Sequence, residues 1–306
     1  MDVWASILLS VCAASTPLLI AATGELVVER SGVLNLGVEG MMIMGAVAAF
    51  ATAQVTGNPY LGALAGIVVA AAFSMLFAFL TLTLVANQVA TGLALTILGL
   101  GLSGMIGEGF VGHPGVRMEA INIPVLSDIP IIGRLIFGQD LIFYASIALV
   151  AGVAWFLFKS RAGLMLRSVG DSHTSAHALG IQVIKIRYLA ILFGGACAGL
   201  AGAHLSLVYV PQWVEGMTAG RGWIALALVV FASWRPGRLL VGAYLFGAVT
   251  IGQFHAQALG VPIPAQFLTS LPYLATIVVL VLIARNRRLT MINTPAALGQ
   301  SFVPDR

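Results

Sequence analysis

"GVLNLGVEGMMIMGAV" (residues 32–47) opens like a transmembrane helix and then departs from one. Asn35 and Glu39 stand in it, with glycines at 37 and 40, where lipid-facing positions favour Leu, Ile and Val. No basic residue lies within four positions of Glu39. The rest of the chain settles the solvent. Of its 306 residues, 59% are hydrophobic and 8% charged, whereas a soluble domain carries about a quarter charged residues. So few charges cannot cover a surface for water, and the chain is an integral membrane protein. Its apolar runs are long rather than alternating, which selects helices, because hydrocarbon offers the backbone no outside partner.

The expected fold is an all-α, polytopic helix bundle forming a single transmembrane domain over 1–306. Its spans, about nine, fall at 3–24, 34–57, 60–86, 88–110, 141–158, 188–210, 216–234, 239–259 and 265–284, some of them broken or re-entrant. The start lacks the basic residues of a cleaved signal, with Asp2 in their place, and reads as a retained first helix. Pro17, Pro272 and glycine pairs mark kinks. Cys12 and Cys197 lie in apolar runs without metal-ligand spacing and read as buried small hydrophobes. With the N-terminus outside, the inner segments hold Arg30, Lys159, Arg161, Arg167, Lys185, Arg187, Arg235, Arg238, Arg285, Arg287, Arg288 and Arg306, twelve of the 15 Lys and Arg. The outer side keeps Arg117 and Arg134, and Arg221 is read at an outer helix end. The excess of bases inside predicts N-out, C-in. The net charge of +4 therefore reads as topology and attraction to lipid headgroups, with no nucleic-acid partner implied.

Two connections are long enough to act. The outer one, 111–140, is rich in Gly and Pro and holds Glu119, Asp128 and Asp140. The inner one, 159–187, contains "HTSAHAL", a short helix capped by Asp171 or Ser172 and ended by Gly180. It is either a docking element or an ordinary interfacial helix. His173 and His177 have the i, i+4 spacing of zinc ligands but no third ligand nearby, so no metal site is expected. Gly62/Gly66, Gly195/Gly199 and Ala198/Gly202 are small-residue faces suited to a tightly packed bundle or dimer.

Several stretches resemble a known family. "GVLNLGVEGMMIMGA" is similar to the opening motif of ABC-importer permeases of the branched-chain amino acid and simple sugar superfamily, and its form looks most like the nucleoside (BmpA-linked) subgroup. "GLMLRSVGDSHTSAHALGI" (163–181) resembles that family's ATPase-coupling loop, and "GMTAGRGWIALALVVFASWRPGRLLVGAYLFG" (216–247) its third hallmark. "LPYLATIVVL" (271–280) fits the last span. The matches run from about residue 29 to 284.

The resemblance implies a permease subunit in a bacterial inner membrane. Its partners would be a cytoplasmic ABC ATPase, an extracytoplasmic solute-binding protein and a second permease chain, in a heterodimer or a homodimer. It implies alternating access for a nucleoside or nucleobase, with sugars, flavins and amino acids as other solutes. Coupling would run through Gly163, Leu164, Arg167, Gly170, Asp171, Ala176, Leu179, Gly180 and Ile181. The family motifs would comprise Gly37, Gly40, Gly220, Arg221, Gly222 and Pro236. The chain's two lysines close no phosphate loop, so it binds no cofactor, and ATP and Mg belong to the partner. Nothing covalent happens to the solute.

The glycine-broken stretch would then sit in the wall of the translocation path. Asn35 would offer a donor and an acceptor, while Glu39 either contacts the solute or hydrogen-bonds the broken backbone. Thr91, with Asn87 and Gln88, opens the fourth span as a cap or a gate. His204 and Gln253, in the outer halves of their spans, would line a vestibule. Two rivals stand beside this reading. One is an ion-coupled secondary transporter with Glu39 as proton carrier. The other is an intramembrane serine protease, since "GLSG" at 101–104 offers Ser103 as nucleophile and His204 or His255 as base.

Overall fold

In the computed structural model, residues 3–121, 132–260, 263–284 and 293–303 are described. The first helix, α1 (Val3–Arg30), runs six residues past the expected end of the first span and carries Glu25 and Glu29 inside it. The chain leaves the helix at Gly32, whose φ of 87° suits glycine. It then extends to Gly37, where Asn35 Oδ1 accepts from the Gly37 N–H at 2.9 Å, an Asx turn that starts α2 (Val38–Thr56). Pro59 opens α3 (Pro59–Ala78), and Asn58 caps it by accepting from the N–H of Tyr60 at 2.9 Å. A wider π-type turn over Phe79–Thr83 extends it. Asn87 caps α4 (Gln88–Gly107), taking the Ala90 N–H at 3.0 Å.

Over the outer connection lies α5 (Ile132–Phe137). Asp140 caps α6 (Leu141–Lys159), accepting from Phe143 N–H at 3.0 Å. Two short helices follow, α7 (Arg161–Asp171) and α8 (His173–Ala178). Next come α9 (Val183–His204), widening over Leu205–Tyr209, then α10 (Arg221–Phe231), α11 (Pro236–Ala258) and α12 (Ala265–Ala284). The described residues contain no strand.

Among the described residues, seven helices are long and apolar enough to cross a membrane. The segment expected as a span over 216–234 differs from them: its helix is only 11 residues, on the order of 16 Å, about half a hydrocarbon core. Pro211 and the glycines at 216 and 220 interrupt the chain before it, with Ala219 at φ 47° and Gly220 at φ 80°. Asp128 and the bases Arg285, Arg287, Arg288 and Arg306 lie outside the described residues.

The core sits where α2, α3 and α9 meet, with α1 packed across α9, α10 and α11. Small residues let these backbones touch. A Cβ on Gly66, Gly199 or Gly202 would run into the backbone of Gly45, Gly66 or Met42 respectively. The small-residue faces are therefore consumed inside the chain. Cys12 and Cys197 are free and buried, Cys197 against Gly24.

Candidate functional site

Glu39 lies one residue into α2 and is 4% exposed. Its Oε1 accepts from the Thr218 hydroxyl at 2.6 Å and the Gly220 N–H at 2.8 Å, and its Oε2 from the Gly222 N–H at 2.6 Å. The two backbone donors are at the N-terminus of the half-length α10, and Thr218 lies just before it. An α-helix leaves its first N–H groups without internal partners and concentrates positive potential there, so a carboxylate supplies what hydrocarbon cannot. Gly222 must be glycine, because any side chain would meet the backbone of Glu39. Glu39 thus joins two interrupted segments, the extended run before α2 and the irregular run before α10.

The extended run has its own side-chain partners. Gln88 accepts from Leu34 N–H at 2.9 Å, Glu25 from Asn35 N–H at 3.3 Å, and Thr96 donates to Leu36 C=O at 3.0 Å. Buried backbone outside a helix needs such partners. Glu29 accepts from the Trp234 indole N–H at 2.6 Å, while Arg30 donates to Trp234 C=O at 2.9 Å. This holds the turn between α10 and α11, where Ser233 and Trp234 take positive φ of 49° and 54°. Sequence reasoning did not single out Glu25 and Glu29. The available signal was two acids spaced i, i+4 at the end of an apolar run.

The expected path residues divide into two groups. Asn35, Glu39 and Thr91 gather around the break, with α4 closely packed on it because Gly92 and Gly99 abut Leu36 and Gly40. All three are buried. Asn35 spends its amide locally, on Gly37 N–H and on Met41 Sδ at 3.5 Å. His204 and Gln253, also buried, belong to the C-terminal parts of α9 and α11. His204 Nε2 stands 3.6 Å from Asp140 Oδ2. Burial works to raise the Asp140 carboxyl, but His204 and the Phe143 N–H outweigh it and hold the group below its ordinary value. Beside Asp140 opens a cavity of about 650 Å³, whose polar lining includes Ser10, Arg117, Gln139, Tyr209 and Arg221. Arg221 stands at the start of a half-helix, donates to Met217 C=O and Thr218 C=O at 3.2 Å, and lies over the Tyr209 ring at 5.4 Å.

Around α7 and α8 the expected coupling residues split by direction. Ser160 caps α7 through the Gly163 N–H at 2.9 Å, and Ser172, rather than Asp171, caps α8 through Ser175 N–H at 3.3 Å. Gly180, at φ 82°, ends α8. Gly163 packs on the Phe156 carbonyl and Gly170 on that of Arg30, and Ala176 is buried. Leu164 and Leu179 point outward, 59% and 81% exposed. Asp171 is exposed, Ile181 half-buried, and Arg167 lies 5.3 Å over the Phe158 ring. Pro236 is the first-turn proline of α11. Ser103 is buried in α4 and donates to Leu100 C=O at 2.9 Å, a packed helix position with no base hydrogen-bonded to it among the described residues.

Residues 7–284 match the family described as branched-chain amino acid transport system, permease component. A Haloferax volcanii protein provisionally named glucose ABC transporter permease protein TsgC13 is 41% identical, over 99% of this chain and 98% of its own. The nucleoside ABC transporter permease protein NupC of Lactococcus lactis is 35% identical, covering 88% of this chain and 89% of its own. The guanosine ABC transporter permease protein NupQ of Bacillus subtilis is 32% identical, over 87% and 88%. The match across nearly the whole chain places this protein in the branched-chain amino acid transport system permease family, as a non-enzymatic ABC transporter permease subunit whose ATPase is a separate subunit.

Proposed function

We propose that this chain is the permease of an importer for a nucleoside or nucleobase, delivered by an extracytoplasmic binding protein. The relatives named for nucleoside and guanosine transport support that solute class. The observation that carries the mechanism is the joint between Glu39 and the N-terminus of α10. Two interrupted segments meet there inside the membrane, and their packing can switch without unwinding a continuous helix. In this reading Glu39 holds the joint, and Asn35 and Thr91 border the path beside it. His204 and Gln253 border the outer vestibule. Leu164 and Leu179 on α7 and α8 contact the ATPase, while Gly163, Gly170 and Ala176 seat those helices.

We place the N-terminus outside and the C-terminus inside a cytoplasmic membrane. There are nine crossings, the seventh made jointly by the irregular run 210–220 and α10. The second half of the path comes from another permease chain, in a heterodimer.

The test is ATP-dependent uptake by the purified complex in proteoliposomes with its binding protein. Labelled guanosine should enter and be competed by other nucleosides but not by glucose. The likeness to TsgC13 supports a second reading, a hexose importer. Glucose uptake insensitive to nucleosides would establish it and sink the first.

A further inference from the structure

The described C-terminal segment, residues 293–303, has no place in the mechanism so far, yet it is tied to three moving parts. Ala297 N–H donates to Gly170 C=O at 2.9 Å, and two residues on, Gly299 N–H donates to Gly32 C=O at 3.1 Å. One short stretch therefore holds the end of α7 and the point where α1 gives way to the extended run. Phe302 packs on Val169, Ala176 and Val183, with its ring 5.2 Å from that of His173 and 5.3 Å from that of His177. Ala297 is 3% exposed.

Arg187, fully buried at the cytoplasmic end of α9, completes the knot. Its Nε donates to Ser31 C=O at 3.1 Å, its Nη1 to Gln300 C=O at 3.1 Å, and its Nη2 faces His173 Nδ1 at 3.5 Å. One planar guanidinium thus engages α1, the C-terminal segment and α8, as its fixed fork allows. Gly32 sits so tightly among Arg187, Ala297 and Gly170 that a side chain has no room.

From Gly32 the chain passes directly to Asn35, held by Glu25, and then to Glu39. We infer that residues 293–303 form a transmission strap, which makes the cytoplasmic helices α7 and α8 and the hinge at Gly32 move as one body. Displacing those helices then shifts the extended run without first deforming a membrane span. The inference rests on reading 163–181 as the ATPase handle. Coupling through a contiguous hydrogen-bonded network requires a shared mobile element, and the segment from Gly32 to Gly37 is that element.

The test uses the reconstituted complex and compares wild type, Phe302→Ala and a chain ending at residue 292. ATPase copurification, ATP hydrolysis and uptake are measured together. The strap predicts retained copurification and hydrolysis, with uptake per ATP falling severalfold in Phe302→Ala and tenfold or more in the shortened chain. Wild-type uptake in Phe302→Ala and in an assembled shortened chain overturns it. So does loss of ATPase binding in step with uptake in Phe302→Ala, which would make the segment a docking surface only.

A second measurement guards against a shortened chain that does not assemble. Leu34 Cβ lies 3.9 Å from where a Cβ on Gly299 would stand, within the span of a disulfide. The pair Leu34→Cys and Gly299→Cys, with Cys12 and Cys197 replaced by Ala, should transport equally well oxidised and reduced, since strap and hinge stay together. Transport lost on oxidation and restored by reductant would show that they separate, and the inference fails. A wild-type chain that brings down no ATPase would instead refute the importer reading.

Discussion

Glu39 shows how a single residue is priced by its surroundings. An isolated carboxylate in hydrocarbon is costly, yet this one accepts three hydrogen bonds at 2.6–2.8 Å, two of them from the open end of a helix. Glu39→Gln keeps the shape but turns an NH₂ group toward a backbone donor. We expect it to cost about 2 kcal/mol, the order for leaving a buried donor unpaired. A lowered melting temperature and slower uptake of the purified complex would register this, and an unchanged melting temperature would contradict the joint.

His173 offers a pH prediction. Burial first, then the facing Arg187, lower its pKa from the ordinary 6.5. The folded state thus favours the neutral ring, whose Nδ1 is free to accept from Arg187. The sign follows: the contact stabilises the protein above the ordinary histidine value and is lost as pH falls through the lower folded value. Thermal stability should therefore drop on acidification below about 6.5, more steeply than in His173→Gln, which cannot titrate. Parallel profiles would exclude His173 as the source.

At the scale of elements, α7 and α8 carry two kinds of residue that one motif presents together. Leu179 is 81% exposed, so Leu179→Asp should leave melting temperature and expression unchanged while abolishing ATPase copurification and uptake. Gly163 faces the Phe156 carbonyl, so Gly163→Asp should fail earlier, in folding, with little protein reaching the membrane. Equal behaviour of the two variants would contradict this division. The cap at Asn87 and the stop at Gly180 were legible locally, because each needs only a residue and its next few neighbours. That α7 stands as a separate helix was not legible. Its start depends on Ser160 turning the chain after a span, and its seat on close approach of Gly163 and Gly170 to other elements.

At the scale of the whole molecule, the proposed nine-crossing, N-out topology predicts accessibility. Ser301→Cys should react with an impermeant thiol reagent only from the cytoplasmic side, and Glu108→Cys only from outside. Both positions are exposed, while the native cysteines are buried. Labelling of both from one side would overturn the orientation.

The sequence by itself determined the solvent, the helical class and most spans, since hydropathy and helix caps act over a few residues and lipid forbids other backbone arrangements. The Asn35–Glu39 stretch was readable as an anomaly for the same reason. Only the tertiary structure decided what resolves the anomaly. Glu39 is separated by about 180 residues from its donors Thr218, Gly220 and Gly222. Glu29 likewise meets Trp234, and Arg187 meets Gln300. Such partners satisfy buried polar groups across the fold, and no local pattern records them. Tertiary packing likewise decided that the segment over 216–234 is only half helix, because an interruption in lipid is tolerable only where distant side chains supply the missing hydrogen bonds.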